Sequence, residues 1–505
     1  MSALHHKILR GTSYNALGLL ASMILNFVAI GVIAQMLGLE KLGLIAISAL
    51  FSVIGIVSIF DFGIPGALTR ELAVLFKANE RVDASKLFWS CFLFFVLIGL
   101  FISLVLISLM SYIIDNLFSI GPEYSARFGY AMCFMFFSHV YQFPALIIKA
   151  SYRAQERYGT LQSVLVSVEA LRVISLITFV YLGFDFDTII IINSTLPFLI
   201  PLILWLYLPR DLRWVPKVTE LLSFDFAKIR RLASFIFVQR ISAIAFNNMD
   251  RVVAGVWLGP LLVGVVEVFS KIPLLINRFL GLSISTLVPA VSGMTIGKDQ
   301  HRLLEIYHLG FKLYYSVIAP PAILLLAFAP QVLDLWVGVS DQTAIICMRV
   351  MLVWCLIVPL QFGGHMLIGI NQRVGSYTQF IVLLSVLKLT ATLVMFPVIG
   401  IYSLPLGYLI ASSSTLYLLL ILRSTIGISL KRQSWDVFLV ILSSVAPVLI
   451  FHQFMPAIVS LGTLALCLVG YYLLQLFMLF GIAATTKERT YIIGSILQFR
   501  SLLRS

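Results

Sequence analysis

The sequence predicts an all-α protein that crosses a membrane about fourteen times, with two six-helix lobes around a central cavity and two further C-terminal helices. Three observations support this prediction. Hydrophobic residues make up 60% of the 505-residue chain. Charged residues make up only 11%, against about 25% in a typical soluble domain. Apolar stretches of roughly 20 residues, the length that a helix needs to cross a bilayer, follow one another along the chain.

The first apolar stretch, residues 14–37, follows a short basic segment. It is too long for the core of a signal peptide, so we interpret it as an uncleaved first span. The other predicted spans are 42–62, 87–112, 128–150, 161–183, 188–208, 232–257, 262–290, 311–337, 345–370, 376–399, 402–422, 437–455 and 459–482.

The distribution of basic residues in the loops predicts the orientation of the chain. When the N-terminus is placed in the cytoplasm, nearly all Lys and Arg of the loops, including Lys149 and Lys312, fall on the cytoplasmic side. The opposite side receives only Lys41, Arg127 and Arg349. Basic residues collect on the cytoplasmic side of membrane proteins, so we predict that both termini are cytoplasmic.

An internal repeat indicates how the spans are grouped. Residues 37–43 read LGLEKLG and residues 258–264 read LGPLLVG, and the same offset relates Asn26 to Asn247. The first copy follows the first span and the second copy follows the seventh span, and these two spans cross the membrane in the same direction. This arrangement is typical of a parallel repeat. The predicted organisation is an N-terminal lobe (1–208), a cytoplasmic linker (209–231), a C-terminal lobe (232–422), and a final part with two spans and a cytoplasmic tail (423–505).

Charged residues inside the predicted spans are the main indication of function. A charge at the centre of a bilayer costs about 2.5–3.5 kcal/mol on insertion scales, so each should face a cavity or a partner. The basic residues at this depth are Arg172, Arg240, Arg251, Lys271, Arg278 and Lys388. The acidic ones are Glu169, Asp250 and Glu267.

Helical spacing places several of these residues on shared faces. Arg240, Asn247 and Arg251 share one face of the seventh span, and Glu267, Lys271 and Arg278 share one face of the eighth. We therefore predict a cationic cavity that binds substrate through the following residues: Arg240, Asn247, Arg251, Lys271, Arg278, Lys388, Arg172 and Asn26. We assign coupling or charge balance to Glu267, Asp250 and Glu169.

A structural interpretation of the same charges is that they form ion pairs. The pairs would be Arg172 with Glu169, Arg251 with Asp250, and Lys271 with Glu267. This pairing leaves an excess of positive charge, with Arg240, Arg278 and Lys388 lacking a partner nearby in the sequence. Arg binds phosphate with two parallel hydrogen bonds, and amides bind sugar hydroxyls, so the cavity suits an anionic, hydroxyl-rich substrate.

Other functions receive less support from the sequence. We expect the five cysteines, all in apolar segments, to be core residues, and we predict no metal site and no cofactor. No motif of a hydrolase, a zinc protease or a nucleotide-binding loop occurs, so we assign no catalytic residue. The string DFD at 185–187 is interpreted as a solvated turn. Basic residues are not interleaved with exposed aromatic residues, so we expect no nucleic-acid partner.

The chain resembles the polysaccharide-exporting branch of the multidrug/oligosaccharidyl-lipid/polysaccharide (MOP) exporter superfamily, especially O-antigen flippases. The segments that carry the resemblance are MLGLEKLGL (36–44), DFGIPGALTRELA (61–73), NNMDRVVAGVWLGPLLVGVVEV (247–268), LVPAVSG (287–293) and GINQRVGSY (369–377). The resemblance implies a flippase, not an enzyme, that moves an undecaprenyl-pyrophosphate-linked oligosaccharide across the bacterial inner membrane by alternating access. It also implies a groove for the lipid tail at the last two spans. Expected partners are membrane lipids, a polysaccharide polymerase and a chain-length regulator.

Two alternatives remain open at this point. A cation-coupled multidrug exporter of the same superfamily would depend on acidic cavity residues, but the span at 14–37 contains neither Asp nor Glu. A membrane polysaccharide polymerase or glycosyltransferase is the alternative from another functional class, and DFD is the only string that favours it.

Overall fold

The described part of the chain is built from helices. The computed structural model describes residues 2–208, 212, 216, 227–291, 294, 298–338, 341–369, 374–452 and 460–479. Within these residues the secondary structure is α-helix with short 3-10 and π turns, and there is no β-strand. The predicted all-α membrane fold is therefore confirmed. Most of the predicted linker lies outside the described residues. The end of the predicted cytoplasmic tail lies entirely outside them.

Nine α-helices precede residue 208. They are α1 (Ser2–Leu37), α2 (Leu39–Leu50), α3 (Ile64–Lys77), α4 (Arg81–Ser108), α5 (Pro122–Phe137), α6 (His139–Ala154), α7 (Tyr158–Tyr181), α8 (Phe186–Thr195) and α9 (Leu199–Leu206). The later helices in the described ranges are α10 (Ala227–Leu258), α11 (Pro260–Val291), α12 (Gln300–Val337), α13 (Gln342–Ile357), α14 (Phe362–Gly369), α15 (Val374–Ile399), α16 (Ser403–Ala411), α17 (Ser414–Thr425), α18 (Leu430–His452) and α19 (Leu461–Met478).

Ten segments of the described residues are long and apolar enough to cross a membrane. They are Gly18–Leu37, Arg81–Ser108, Pro122–Ala154, Tyr158–Tyr181, Phe186–Leu206, Pro260–Arg278, Gln300–Val337, Gln342–Gly364, Gly375–Thr425 and Leu430–Ile450. The longest, Gly375–Thr425, contains two of the predicted spans. The chain is therefore a multi-pass membrane protein, while the number of about fourteen spans stays a prediction.

The chain forms two compact units, residues 1–268 and 269–505. The boundary lies inside α11, so the helix of the predicted seventh span belongs to the first unit. Within that unit α1 packs along α7, and α10 packs against α2 and α3. Within the second unit α12 packs against α13 and α18, and α15 packs against α16. The predicted lobe boundaries at 208 and 232 stay a prediction.

The prediction of one unbroken second span at 42–62 is wrong. α2 ends at Leu50, a 3-10 turn covers Ile56–Asp61, and α3 begins at Ile64. Gly55 and Gly63 make the break possible. A Cβ on Gly55 would lie 2.1 Å from the Leu50 carbonyl oxygen, and Gly63 has a φ of +71°, which L-residues with side chains rarely adopt.

Two lysines assigned to loops lie inside helices instead. Lys149 belongs to α6, and Lys312 belongs to α12 and is only 7% exposed. The apolar stretch in the sequence begins near Lys312, but the helix begins a full three turns earlier, at Gln300. Hydropathy therefore located the apolar part of the span and missed its polar, helical beginning.

The two copies of the repeat contact each other through their glycines. A Cβ on Gly43 would lie 1.7 Å from the Pro260 carbonyl oxygen, and a Cβ on Gly264 would lie 1.9 Å from the Leu39 carbonyl oxygen. Real Cβ atoms do not approach an oxygen so closely, so both positions require glycine. The equivalent turns at 37–43 and 258–264 therefore pack backbone against backbone within the first unit.

Candidate functional site

A polar cluster joins α1, α7 and α8 in the first unit. Arg172 donates from Nε and Nη2 to Glu169 at 2.9 and 2.6 Å, and from Nη2 to the Asn26 side-chain oxygen at 2.8 Å. It also donates from Nη1 to the side-chain oxygen of Asn193. Asn26 in turn donates to Glu169 and to the Ser22 carbonyl oxygen. We call Asn26, Glu169, Arg172 and Asn193 the amide–arginine cluster.

Three of these four residues were predicted from the sequence, because each lies on a polar stripe of an apolar helix. The structure brings Asn26, Glu169 and Arg172 together and pairs the two charges, as in the structural interpretation of the sequence. Asn193 was missed, since it lies on α8 directly after four consecutive isoleucines and forms no polar stripe with another predicted site residue. All three nitrogens of the Arg172 guanidinium donate to protein acceptors, so the cluster binds α1, α7 and α8 together.

A second ion pair connects the two helices of the second repeat. Arg251 on α10 pairs with Glu267 on α11, and the side chains are 23% and 6% exposed. Arg251 also donates to the Asn248 side-chain oxygen at 3.5 Å. Glu267 therefore has Arg251 as a partner from the neighbouring helix, whereas the sequence suggested Lys271 on its own helix. Asp250 is buried, at 6% exposure.

Arg240 pairs with a carboxylate that the sequence analysis did not include in the site. Its Nε and Nη2 donate to Oδ2 of Asp61 at 3.1 and 2.8 Å. The Asp61 side chain is 2% exposed, while that of Arg240 is 47% exposed. The other oxygen of Asp61 accepts from the Gly63 N–H at 2.8 Å. Arg240 has no partner nearby in the sequence, as the sequence analysis states, and the fold supplies one from a distant segment.

The Asp61 carboxylate had a signal in the sequence. It is an acidic residue at the end of an apolar stretch, where an ionised group needs a partner. Nothing in the sequence indicated which residue that partner is, because 179 positions separate Asp61 from Arg240.

The remaining predicted site residues lie in different surroundings. Asn247 is exposed and donates to the Ala243 carbonyl oxygen on its own helix at 2.8 Å. Lys388 is buried, at 1% exposure, and its Nζ lies 3.8 Å from the centre of the Tyr408 ring. On the second-unit part of α11, Lys271 is half-buried and Arg278 is exposed. Whether these side chains line one cavity stays a prediction.

The DFD turn is part of an ion cluster rather than a solvated turn. Asp185 pairs with Lys41 at 3.0 Å and with Arg127 at 3.0 Å, and Arg127 also pairs with Asp187 at 2.7 Å. Asp185 additionally accepts from the Phe186 N–H at the start of α8. We call these four residues the DFD ion cluster. Two of its members, Lys41 and Arg127, are basic residues that the sequence assigned to the non-cytoplasmic side.

No group of three His, Cys, Asp or Glu residues within the described ranges could hold a metal ion. All five cysteines are free: Cys91, Cys347 and Cys355 are buried, and Cys133 and Cys467 are half-buried.

Comparisons with known proteins agree with this architecture. A family model described as polysaccharide biosynthesis protein matches residues 8–295. A search of curated proteins found no match. The fold is similar to that of a structure described as lipid II flippase MurJ in an inward closed conformation. That alignment has 14% identity and a TM-score of 0.70, and it covers 91% of this chain and 97% of the other.

Transporters described as multidrug resistance MATE family members of the MOP superfamily share the fold as well. An inward-facing structure has a TM-score of 0.64 at 16% identity and covers 80% of this chain and 94% of the other. An outward-facing structure has a TM-score of 0.56 at 16% identity and covers 83% of this chain and 95% of the other. The chain therefore belongs to the polysaccharide biosynthesis protein family and, with it, to the MOP exporter superfamily.

Proposed function

We propose that this protein is a flippase that moves an undecaprenyl-pyrophosphate-linked oligosaccharide, such as an O-antigen repeat unit, from the cytoplasmic to the periplasmic leaflet of a bacterial inner membrane. The family match to polysaccharide biosynthesis supports a glycan as the cargo. The solved structure of a lipid II flippase with the same fold supports a lipid-linked form of it. Alternating access would carry the headgroup, and both termini would be cytoplasmic.

The observation that supports this proposal most directly is the exposed, ion-paired guanidinium of Arg240. Its guanidinium is held by Asp61, yet nearly half of its side chain is exposed. Both of its hydrogen bonds go to a single oxygen of that carboxylate. A diphosphate offers more acceptor oxygens and more charge than one carboxylate oxygen, so it could compete for the exposed side of the guanidinium. Asp61 lowers the excess of positive charge at membrane depth without removing it.

The proposal is tested by reconstituting the purified protein in liposomes with the lipid-linked oligosaccharide extracted from a flippase-deficient strain. A glycan-modifying enzyme added outside then measures how much of the headgroup crosses the bilayer with time. We expect the protein to accelerate crossing, and Arg240→Ala to reduce the rate at equal protein content. A protein that leaves the rate at that of empty liposomes contradicts the proposal.

The multidrug-exporter alternative is tested in the same liposomes. Cationic dye efflux without movement of the lipid-linked glycan would support that alternative. The sequence of the first span argues against a multidrug exporter, because residues 14–37 contain no Asp or Glu. The residue that α1 contributes to the amide–arginine cluster is the uncharged Asn26.

A further inference from the structure

A surface pocket of about 290 Å³ lies in the first unit between the segment that follows α4 and the helix α5. One wall comes from that segment, which contains a π turn at Tyr112–Leu117, and the other from a face of α5 that carries Ser125, Gly129 and Cys133. We call it the α4–α5 pocket. Because α5 also carries Arg127 of the DFD ion cluster, the pocket belongs to the side predicted to be non-cytoplasmic. None of its lining residues is in the predicted substrate site.

Four polar side chains line the α4–α5 pocket, and they are Ser111, Asp115, Ser125 and Tyr130. Within the described residues none of the four has a hydrogen-bond or ion-pair partner for its side chain. Ser108, near the pocket at the end of α4, differs from them, since its hydroxyl donates to the carbonyl oxygen one turn earlier at 2.8 Å. Serines in helices commonly bond to their own backbone in this way. The polar groups of the pocket are therefore available to a ligand.

The same pocket also presents apolar surface. Ile114 and Gly129 are buried, and a Cβ on Gly129 would lie 3.2 Å from Cδ1 of Ile114, so a side chain at this position would fill part of the space. Tyr130 is 62% exposed, and Phe134 packs against its ring with the ring planes at 73° and the centroids 5.4 Å apart. The Tyr130 ring is thus supported from one side and accessible from another.

The turn that carries Asp115 is fixed by its neighbours. The Phe118 N–H donates to the Ile113 carbonyl oxygen at 3.1 Å, and the Phe118 side chain is only 1% exposed. Its ring packs edge-on against Phe51, and a Cβ on Gly255 of α10 would lie 2.6 Å from it. Single π turns are frequent at functional sites. A wall that is already ordered does not have to be ordered when a ligand binds.

We propose that the α4–α5 pocket binds one neutral sugar residue. The Asp115 carboxylate accepts hydrogen bonds from two neighbouring sugar hydroxyls, and the hydroxyls of Ser111 and Ser125 bond to others. The apolar face of the sugar ring lies on the Tyr130 ring. The inference rests on the proposed flippase function, because it names the part of the cargo that binds on the non-cytoplasmic side.

The size and the side chains of the pocket favour a sugar over other small ligands. Pockets for drug-sized ligands have about 300–1,000 Å³, so this pocket suits a ligand of roughly one ring. Among the described residues no Lys or Arg lines it, and the Asp115 carboxylate repels a phosphate. An ammonium would pair with Asp115, but it offers no acceptor to the hydroxyls of Ser111, Ser125 and Tyr130. Sugar hydroxyls both donate and accept, so they satisfy all four groups.

The experiment uses the full-length protein in nanodiscs and the oligosaccharide released by mild acid from the lipid-linked form of the flippase-deficient strain. Titration followed by saturation-transfer NMR measures the dissociation constant. We expect Tyr130→Ala to weaken binding at least about tenfold and Tyr130→Phe, which keeps the ring, only about two- to threefold. Asp115→Asn should weaken it about tenfold, because hydrogen bonds to a charged acceptor are stronger than those to a neutral one.

Tyr112→Ala is the matched control, since Tyr112 is an aromatic residue of the same π turn that is 59% exposed and does not line the pocket. This variant should bind the oligosaccharide as the wild type does. Because Asp115 and Tyr130 are exposed, their variants should keep the thermal midpoint of the wild type.

The possible results separate the inference from the proposed function. Wild-type affinity in both Tyr130→Ala and Asp115→Asn, or no binding of the oligosaccharide at all, would overturn the inference even if the protein moves the lipid-linked glycan in liposomes. Binding of phosphorylethanolamine in place of the oligosaccharide, lost in Asp115→Asn, would assign the pocket to a lipid headgroup and also overturn it. Oligosaccharide binding that depends on Tyr130 and Asp115, in a protein that moves no glycan, would contradict only the proposed function.

Discussion

Arg240 and Asp61 join α10 to the 3-10 turn before α3, and both hydrogen bonds of the pair go to one carboxylate oxygen. The other oxygen of that carboxylate holds the Gly63 N–H, in the left-handed turn from which α3 starts. Asp61 therefore fixes the local break of the second span and the position of Arg240 at the same time. A change at either residue should affect both the stability of the fold and the availability of the guanidinium.

We expect Arg240→Gln to lower the thermal midpoint of the purified protein, because it leaves the buried Asp61 carboxylate without its cation. Asp61→Asn in the same chain should restore much of the loss, since Asn still offers an oxygen to the Gly63 N–H. Thermal unfolding followed by size-exclusion fluorescence measures both effects. A double variant no more stable than Arg240→Gln would show that the pair does not stabilise the fold.

Arg278 tests whether shape as well as charge matters in substrate binding. Arg278→Lys keeps the charge and loses the two-pronged hydrogen bond, whereas Arg278→Ala loses both. A hydrogen bond to a charged group contributes about 1.5–3 kcal/mol, so we expect the alanine variant to bind the lipid-linked diphosphate roughly ten- to a hundredfold more weakly. The lysine variant should fall between the two.

Complementation of a flippase-deficient strain, with membrane abundance measured beside it, shows the effect of Arg278 in cells. Arg240→Ala and Lys271→Ala belong to the same series. Full surface polysaccharide in all three alanine variants would contradict a cationic substrate site.

A variant of Glu267 distinguishes two roles for this carboxylate, charge balance and the coupling of transport to an ion gradient. Because it is buried and paired with Arg251 on the neighbouring helix, Glu267→Gln should reduce the amount of folded protein in the membrane. The transport rate per folded molecule should keep its dependence on a pH gradient. Arg251→Gln together with Glu267→Gln is the compensated control and should recover abundance. Loss of the gradient response at normal abundance would instead assign Glu267 to coupling.

From the DFD ion cluster we predict that the thermal stability of the protein falls at acid pH. Burial raises the pKa of the Asp185 carboxyl, but hydrogen bonds from Lys41, the Phe186 N–H and Arg127, together with the charge of Lys41, outweigh it and lower the pKa below the ordinary 3.8. A carboxyl with a lowered folded-state pKa contributes stability above its unfolded pKa and loses it as the pH falls through the folded pKa. The thermal midpoint should therefore fall more steeply below about pH 4 in the wild type than in Asp185→Asn. An equal fall of the thermal midpoint with pH in the wild type and in Asp185→Asn would show that Asp185 does not contribute to the acid sensitivity.

Residues on one helix could be related from the sequence, and residues on distant helices could not. Helical periodicity placed Glu169 and Arg172 on one stripe, and the structure pairs them. The same reasoning chose partners within one segment for Arg251 and Glu267, whereas the structure pairs these two across helices. Asp61 and Asn193 were missed because their contacts depend on which helices become neighbours, and the hydropathy of one segment carries no information about that.

The ion pair of Lys312 with Asp436 in the second unit was missed for a related reason. Lys312 lies at the edge of an apolar stretch, and a single lysine at that position looks like the end of a cytoplasmic loop. The helix extends further, and Asp436 on α18 provides the carboxylate that makes a buried ammonium tolerable. The fold class follows from composition and span length, because the bilayer leaves few alternatives. The assignment of charges to partners requires the packing.

The meeting of the two repeat turns has a mechanical consequence. Gly43 and Gly264 each lie against the main chain of the opposite turn, so at these two positions main-chain atoms set the distance between the turns. No side chain at either glycine can adjust to a change in that distance. A single methyl group at either glycine would therefore push the two turns apart.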